Sequence, residues 1–95
     1  LPQKDEARII GKQLLRASTS VAANYRAACR ARSRAEFYSK ISIVVEEADE
    51  ALFWLELLTE AQVFPEIKLQ GLTNEAEQIV KIAAKARKTV QDLHQ

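Results

Sequence analysis

Turn-forming residues are scarce: the 95-residue chain has two glycines and two prolines. That argues against a β-sandwich or barrel, whose many short strands need frequent turns. It also leaves no glycine-rich loop to cradle a phosphate. A single cysteine, Cys29, excludes an internal disulfide. Beside Ala28, it reads as a small buried hydrophobe in a reducing compartment. A single histidine, His94, sits at the chain end without companion ligands and reads as a fraying terminal side chain. Methionine is absent and the chain begins Leu1-Pro2, so residues upstream of Leu1 are expected. No run of about 18 apolar residues is available to cross a bilayer. Residues 1–16 carry Lys4, Asp5, Glu6, Arg8, Lys12 and Arg16 with no apolar signal-peptide core. A cytoplasmic protein is expected.

What is abundant is Ala, Leu, Glu, Lys and Arg, the makeup of long helices. The formal net charge of +1 conceals a segregation. Residues 1–40 balance to +6, residues 41–77 to −8 and residues 78–95 to +3. Either neighbouring helices match one another or the surface has separate basic and acidic faces.

Apolar spacing predicts three helices and one all-α, up-down domain over residues 1–95. In the first, at about 3–30, Ile10, Leu14, Ala17, Val21 and Ala28 form one stripe, widened by Ile9, Leu15, Ala22 and Tyr25. The second, at about 33–62, opens on the capping box Ser33-Arg34-Ala35-Glu36. Phe37, Ile41, Val44, Ala48, Ala51, Leu55 and Leu58 then keep alternating steps of four and three, a bundle seam. Val45, Leu52 and Trp54 broaden it, and Pro65 should stop the helix. The short link at Ala31–Ser33 makes these two helices a hairpin. The third, at about 72–93, carries Leu72, Ala76, Ile79, Ala83, Ala86, Val90 and Leu93. Thr73 or Asn74 is its expected cap, Glu77 completing a box from Asn74, with Val63–Gln70 a loop, although Gly71 leaves the start open because Leu69 can belong to an earlier turn.

Chemistry-bearing constellations are few. A di-iron bundle needs Glu-x-x-His steps, which the chain does not contain. Glu46, Asp49, Glu56 and Glu60 read as a solvated face, while Glu50 is a candidate for partial burial against an arginine. Ser20 has no evident base to activate it. Asn24 lies at the edge of the apolar stripe, either as a satisfied amide that sets register or as a flank position bonded to water. No catalytic residue, cofactor, metal or small-molecule substrate is expected. Membrane-surface binding also lacks the required opposition of a basic face and an aromatic or aliphatic one.

The segment Gln13–Asn24 followed by Arg32-Ser33-Arg34-Ala35-Glu36-Phe37 resembles the bacterial four helix bundle protein family. That family includes proteins encoded in intervening sequences of large-subunit ribosomal RNA genes, and retroelement accessory proteins look like distant members. The resemblance rests on the order and spacing of Ser20, Asn24, Glu36, Phe37 and Glu50, and covers residues 8–60 best. Two departures stand out: Arg26-Ala27-Ala28 replaces a common Ala-Glu-Gly, and Glu46-Glu47 replaces a common Gly-Ser. The resemblance implies a non-enzymatic helical protein that assembles as a ring, commonly a pentamer, with a further N-terminal helix before Leu1.

Two functions are weighed. As an oligomeric scaffold or adaptor, the chain offers Tyr38, Phe53 and Trp54 as interface residues, with Phe64 a further large side chain. As a nucleic-acid-binding accessory protein, in the manner of the retroelement relatives that bind a reverse transcriptase, it offers Arg26, Arg30, Arg32, Arg34 and Lys40 at one hairpin end. No sequence feature identifies a partner protein.

Overall fold

The computed structural model describes residues 2–62 and 66–93. Its elements are α1 (Pro2–Cys29), α2 (Arg34–Glu60) and α3 (Glu66–Leu93), with no strand among the described residues. Pro65, Phe64 and His94 lie outside the described residues.

Helix α1 closes as Arg30 N–H donates to the carbonyls of Arg26 and Ala27, both at 3.2 Å. Helix α2 begins where Ser33, in extended conformation, accepts the Glu36 amide at 3.0 Å. One half of the capping box is thus formed. Glu36 lines a cleft with Arg26, Arg30 and Arg32. Helix α2 ends at Glu60, short of Gln62, because Gln62 turns to φ 56. A residue in that left-handed region terminates the helical ladder.

Helix α3 starts at Glu66, a turn and a half before the expected Leu72. Thr73 and Asn74 therefore lie in its interior and cap nothing, and Gly71 is a helical residue with negative φ. The reason is Leu69, which is buried against Leu55 and Leu58. Continuing the row Leu69, Leu72, Ala76 for one more turn buries a leucine, worth about 2 kcal/mol. That outweighs the cost of about 1 kcal/mol for a mid-helix glycine.

Packing is organised on α2. Ile41, Val44, Ala48, Ala51, Leu55 and Leu58 are its buried residues. One cluster joins Ala28, Ile41, Val44 and Ala83, with Phe37 and Ala86 against it. A second joins Leu55, Leu58 and Leu69, with Ile10, Leu14 and Ala76. The end of α1, the start of α2 and the end of α3 therefore share one end of a rod 52 Å long. Helices α1 and α3 both pack on α2, yet no Cα atoms of α1 and α3 come within 8 Å of each other.

Of the seven seam residues expected on α3, one is buried, Ala83, while Ala76, Ala86 and Val90 are half-buried. Leu72, Ile79 and Leu93 are exposed, because α3 has one helical neighbour instead of two. On α1, Ile9, Leu15, Ala22 and Tyr25 are exposed for the same reason. Cys29 is also exposed, not buried as expected. It is the last residue of α1 and lines the open groove beside Tyr25 and Ala28.

Space around Gly71 is open: a Cβ there meets nothing within 4 Å. Gly71→Ala is expected to raise stability by about 0.5–1 kcal/mol, read as a higher thermal midpoint. A neutral or destabilised variant would place the start of α3 after position 71.

Candidate interaction surfaces

Three surface features arise from this packing, and each gathers different side chains. The first is the arginine end. The tight α1–α2 link brings Arg26, Arg30 and Arg32 around a shallow cleft floored by Ala23 and Ala27, with Glu36 at its edge. Small residues at 23 and 27 are what leave room for the cleft. Arg34 is exposed on the first residue of α2, and Lys40 is half-buried further along it. Neither lines the cleft, so the five basic positions anticipated together divide into three and two.

The second feature is a polar pin between α1 and α2. The Arg16 guanidinium donates to Glu47 Oε2 at 3.1 Å and to Glu50 Oε1. Trp54 Nε1 donates to the same Glu50 oxygen at 3.2 Å. Glu50 is thus half-buried and held by an arginine from the neighbouring helix. The hydrogen bond from Arg16 is the largest cause that holds the Glu50 carboxyl below its usual range, followed by that from Trp54. Reciprocally, the Glu50 bond raises the Arg16 guanidinium above its ordinary value. Trp54 also meets Phe53 edge-on, ring centroids 5.0 Å apart at 65°. Phe53 is half-exposed among the exposed acids Glu46, Asp49 and Glu56. Tyr38, half-buried, lies about 24 Å back along α2 at 1.5 Å per residue and belongs to a different patch.

Asn24 takes a course between its two sequence alternatives. It is half-buried, and its amide donates to the Ser20 carbonyl at 2.9 Å and to Ser20 Oγ at 3.2 Å. Its donors are satisfied within its own helix. Phe37 packs on the Ala28–Ile41–Val44–Ala83 cluster at the foot of the hairpin.

The third feature was missed from sequence: an apolar groove between α1 and α3, floored by α2. One stretch is lined by Leu14, Val21, Ala51, Leu55, Leu72 and Ile79. The next shares Val21 and Ile79 and adds Tyr25, Phe37, Val44 and Ile82. Ile82 is 66% exposed and Leu72 51%. The available signal was the width of the apolar stripes on the first and third helices, too broad for one neighbour each. The Tyr25 phenol faces this groove, and its hydrogen bond with Cys29 raises it above its ordinary value. No helix among the described residues is long and apolar enough to cross a membrane.

Comparison with known proteins follows the same architecture. A family model described as 23S rRNA-intervening sequence protein matches residues 1–85. A crystal structure of a protein of unknown function from the S23 ribosomal protein family of Bacteroides thetaiotaomicron superposes with a TM-score of 0.79. It is 36% identical, and the match covers 84% of this chain and 71% of that one. No curated protein matches the chain.

The lowered Glu50 carboxyl sets the sign of a pH effect. Between its folded and unfolded values the unfolded chain binds more protons, so stability rises with pH there. The contribution is complete above the ordinary glutamate range and is lost as pH falls through the lowered folded value. Glu50→Gln is expected to flatten the acid limb of stability, measured by urea unfolding between about pH 7 and pH 3. An acid limb identical to that of the parent chain would show that the pin contributes nothing.

Proposed function

The chain belongs to the 23S rRNA-intervening sequence protein family, and from that premise we propose that it is a non-enzymatic helical scaffold that works by association. The observation that carries this reading is the apolar groove, with Leu72, Ile79 and Ile82 on its α3 rim. An apolar surface of that length, open to water, is an interaction surface in a natural protein. A fourth helix laid between α1 and α3 covers it and completes a single up-down four-helix bundle. Such a helix adds the second neighbour that α1 and α3 lack.

Bundles then associate through their outer faces in a ring, a pentamer in the arrangement that the family resemblance implies. Phe53 and Trp54 serve as the aromatic anchor of that contact, a half-exposed hydrophobe rimmed by carboxylates. Localisation is cytoplasmic, and the partner protein follows from no feature of the chain.

A second reading rests on the arginine-lined cleft. Arg26, Arg30 and Arg32 converge at one end with a single carboxylate, Glu36, beside them. A ring repeats that end around its rim, and phosphates bound there release counterions. The same assembly thereby serves as a nucleic-acid adaptor.

Size exclusion with light scattering checks the first reading. A mass several times the 10.7 kDa of one chain is expected at tens of micromolar, reduced by Phe53→Glu. A monomer throughout the micromolar range removes the scaffold. For the second, labelled RNA and DNA are titrated at low and moderate salt. Binding that weakens with salt and is lost in Arg30→Glu/Arg32→Glu is expected, while binding indifferent to salt rejects it.

A further inference from the structure

We propose that the second half of α3 completes the arginine end into a two-sided site for the phosphodiester backbone of nucleic acid, read by charge without base discrimination. This rests on the nucleic-acid reading above and extends it to residues on another helix. In sequence, residues 78–95 are separated from the arginines by the acidic stretch and balance to +3. The fold brings them back: Ala83 and Ala86 pack with Ala28, Phe37 and Ile41 at the end where α1 stops and α2 begins.

Lys81, Lys85 and Lys88 are all exposed there. Their steps of four and three place them in one stripe along α3. The arginine cleft is formed by α1 and the start of α2, the lysine stripe by α3, so the two basic groups sit on different helices at one end of the rod. Packed helices lie about 8–10 Å apart axis to axis, so basic groups on different helices are separated by more than one phosphate covers. A chain of phosphates spans that width; a free phosphate ion does not.

Two further observations shape the ligand. The opposite end of the rod carries an acidic cleft lined by Glu56, Glu60 and Glu77, among others. A polyanion is repelled there and steered to the basic end, so the local field decides docking despite a net charge of only +1. At the basic end the exposed aromatic, Tyr25, lines the apolar groove and not the arginine cleft. Among the described residues no aromatic lines the arginine cleft, and backbone contacts alone carry no sequence information.

The test is fluorescence anisotropy on two labelled RNAs of unrelated sequence across a salt series. It compares the parent chain, a Lys81→Gln/Lys85→Gln/Lys88→Gln triple and an Arg26→Gln/Arg30→Gln/Arg32→Gln triple, with circular dichroism verifying helicity in each. The lysine triple is expected to weaken binding equally on both RNAs. It should reduce the slope of log affinity against log salt by about 2–3, since each lost phosphate contact removes roughly 0.7–0.9. Inorganic phosphate at matched ionic strength is expected not to compete. A lysine triple that binds like the parent while the arginine triple does not overturns the α3 half and leaves the arginine reading standing. A parent chain that binds neither RNA at low salt overturns both, and a strong preference for one RNA overturns recognition by charge alone.

Discussion

The buried row on α2 holds this molecule together. Ile41, Val44, Ala48, Ala51, Leu55 and Leu58 recur at steps of three and four along one side of a helix. Both other helices draw their burial from that one row, α1 through Ala28 and Leu14, α3 through Leu69 and Ala83. Because α1 and α3 make no close backbone approach to each other, neither has a second source of burial. A single substitution in the α2 row is therefore felt by all three helices. The same constraint produces the groove: two cylinders packed against a third leave a furrow between them, and here the residues facing it are apolar.

Polar chemistry is arranged around that frame and not within it. Among the described residues no polar or charged side chain is fully buried. The pin of Arg16, Glu50 and Trp54 sits at the α1–α2 boundary, where the carboxylate keeps contact with water while accepting two donors. Such a pair selects one register of the hairpin over a one-turn slip, since a slip leaves Glu50 beside Trp54 without its cation. Asn24, which lies on the same helix as Arg16, bonds backwards to Ser20 and leaves the interhelix contact to Ala17 and Ala28. Those alanines permit close approach of α1 and α2, and close approach brings the Arg16 fork within reach of both carboxylates.

Much of this was legible in the residue order. The 4-3 rhythm from Phe37 to Leu58 specifies a helix and its buried side because only one face of a 3.6-residue repeat carries those positions. Ser33 announces the start of α2 because a hydroxyl there can accept a free amide whatever the tertiary context. Other readings failed for reasons equally physical. Thr73 and Asn74 looked like the caps of a helix beginning at Leu72. Local propensity gave way there to the burial of Leu69, a contact with residues 55 and 58 that no short window contains. Cys29 looked buried beside Ala28, yet a helix turns about 100° per residue, and the neighbour of a buried position often faces outward.

What the sequence by itself determined is the number, identity and approximate extent of the helices, and which stripe of each is apolar. Those properties depend on residues three and four apart, a distance that the backbone imposes. Only the tertiary structure decided how many neighbours each stripe has. It placed α1 and α3 side by side on the one buried row of α2, leaving an apolar groove between them. It also returned the lysines of α3 to the end occupied by the arginines of the hairpin. Both outcomes follow from where rigid helices come to rest against one another, and that is fixed by packing between residues far apart in the chain.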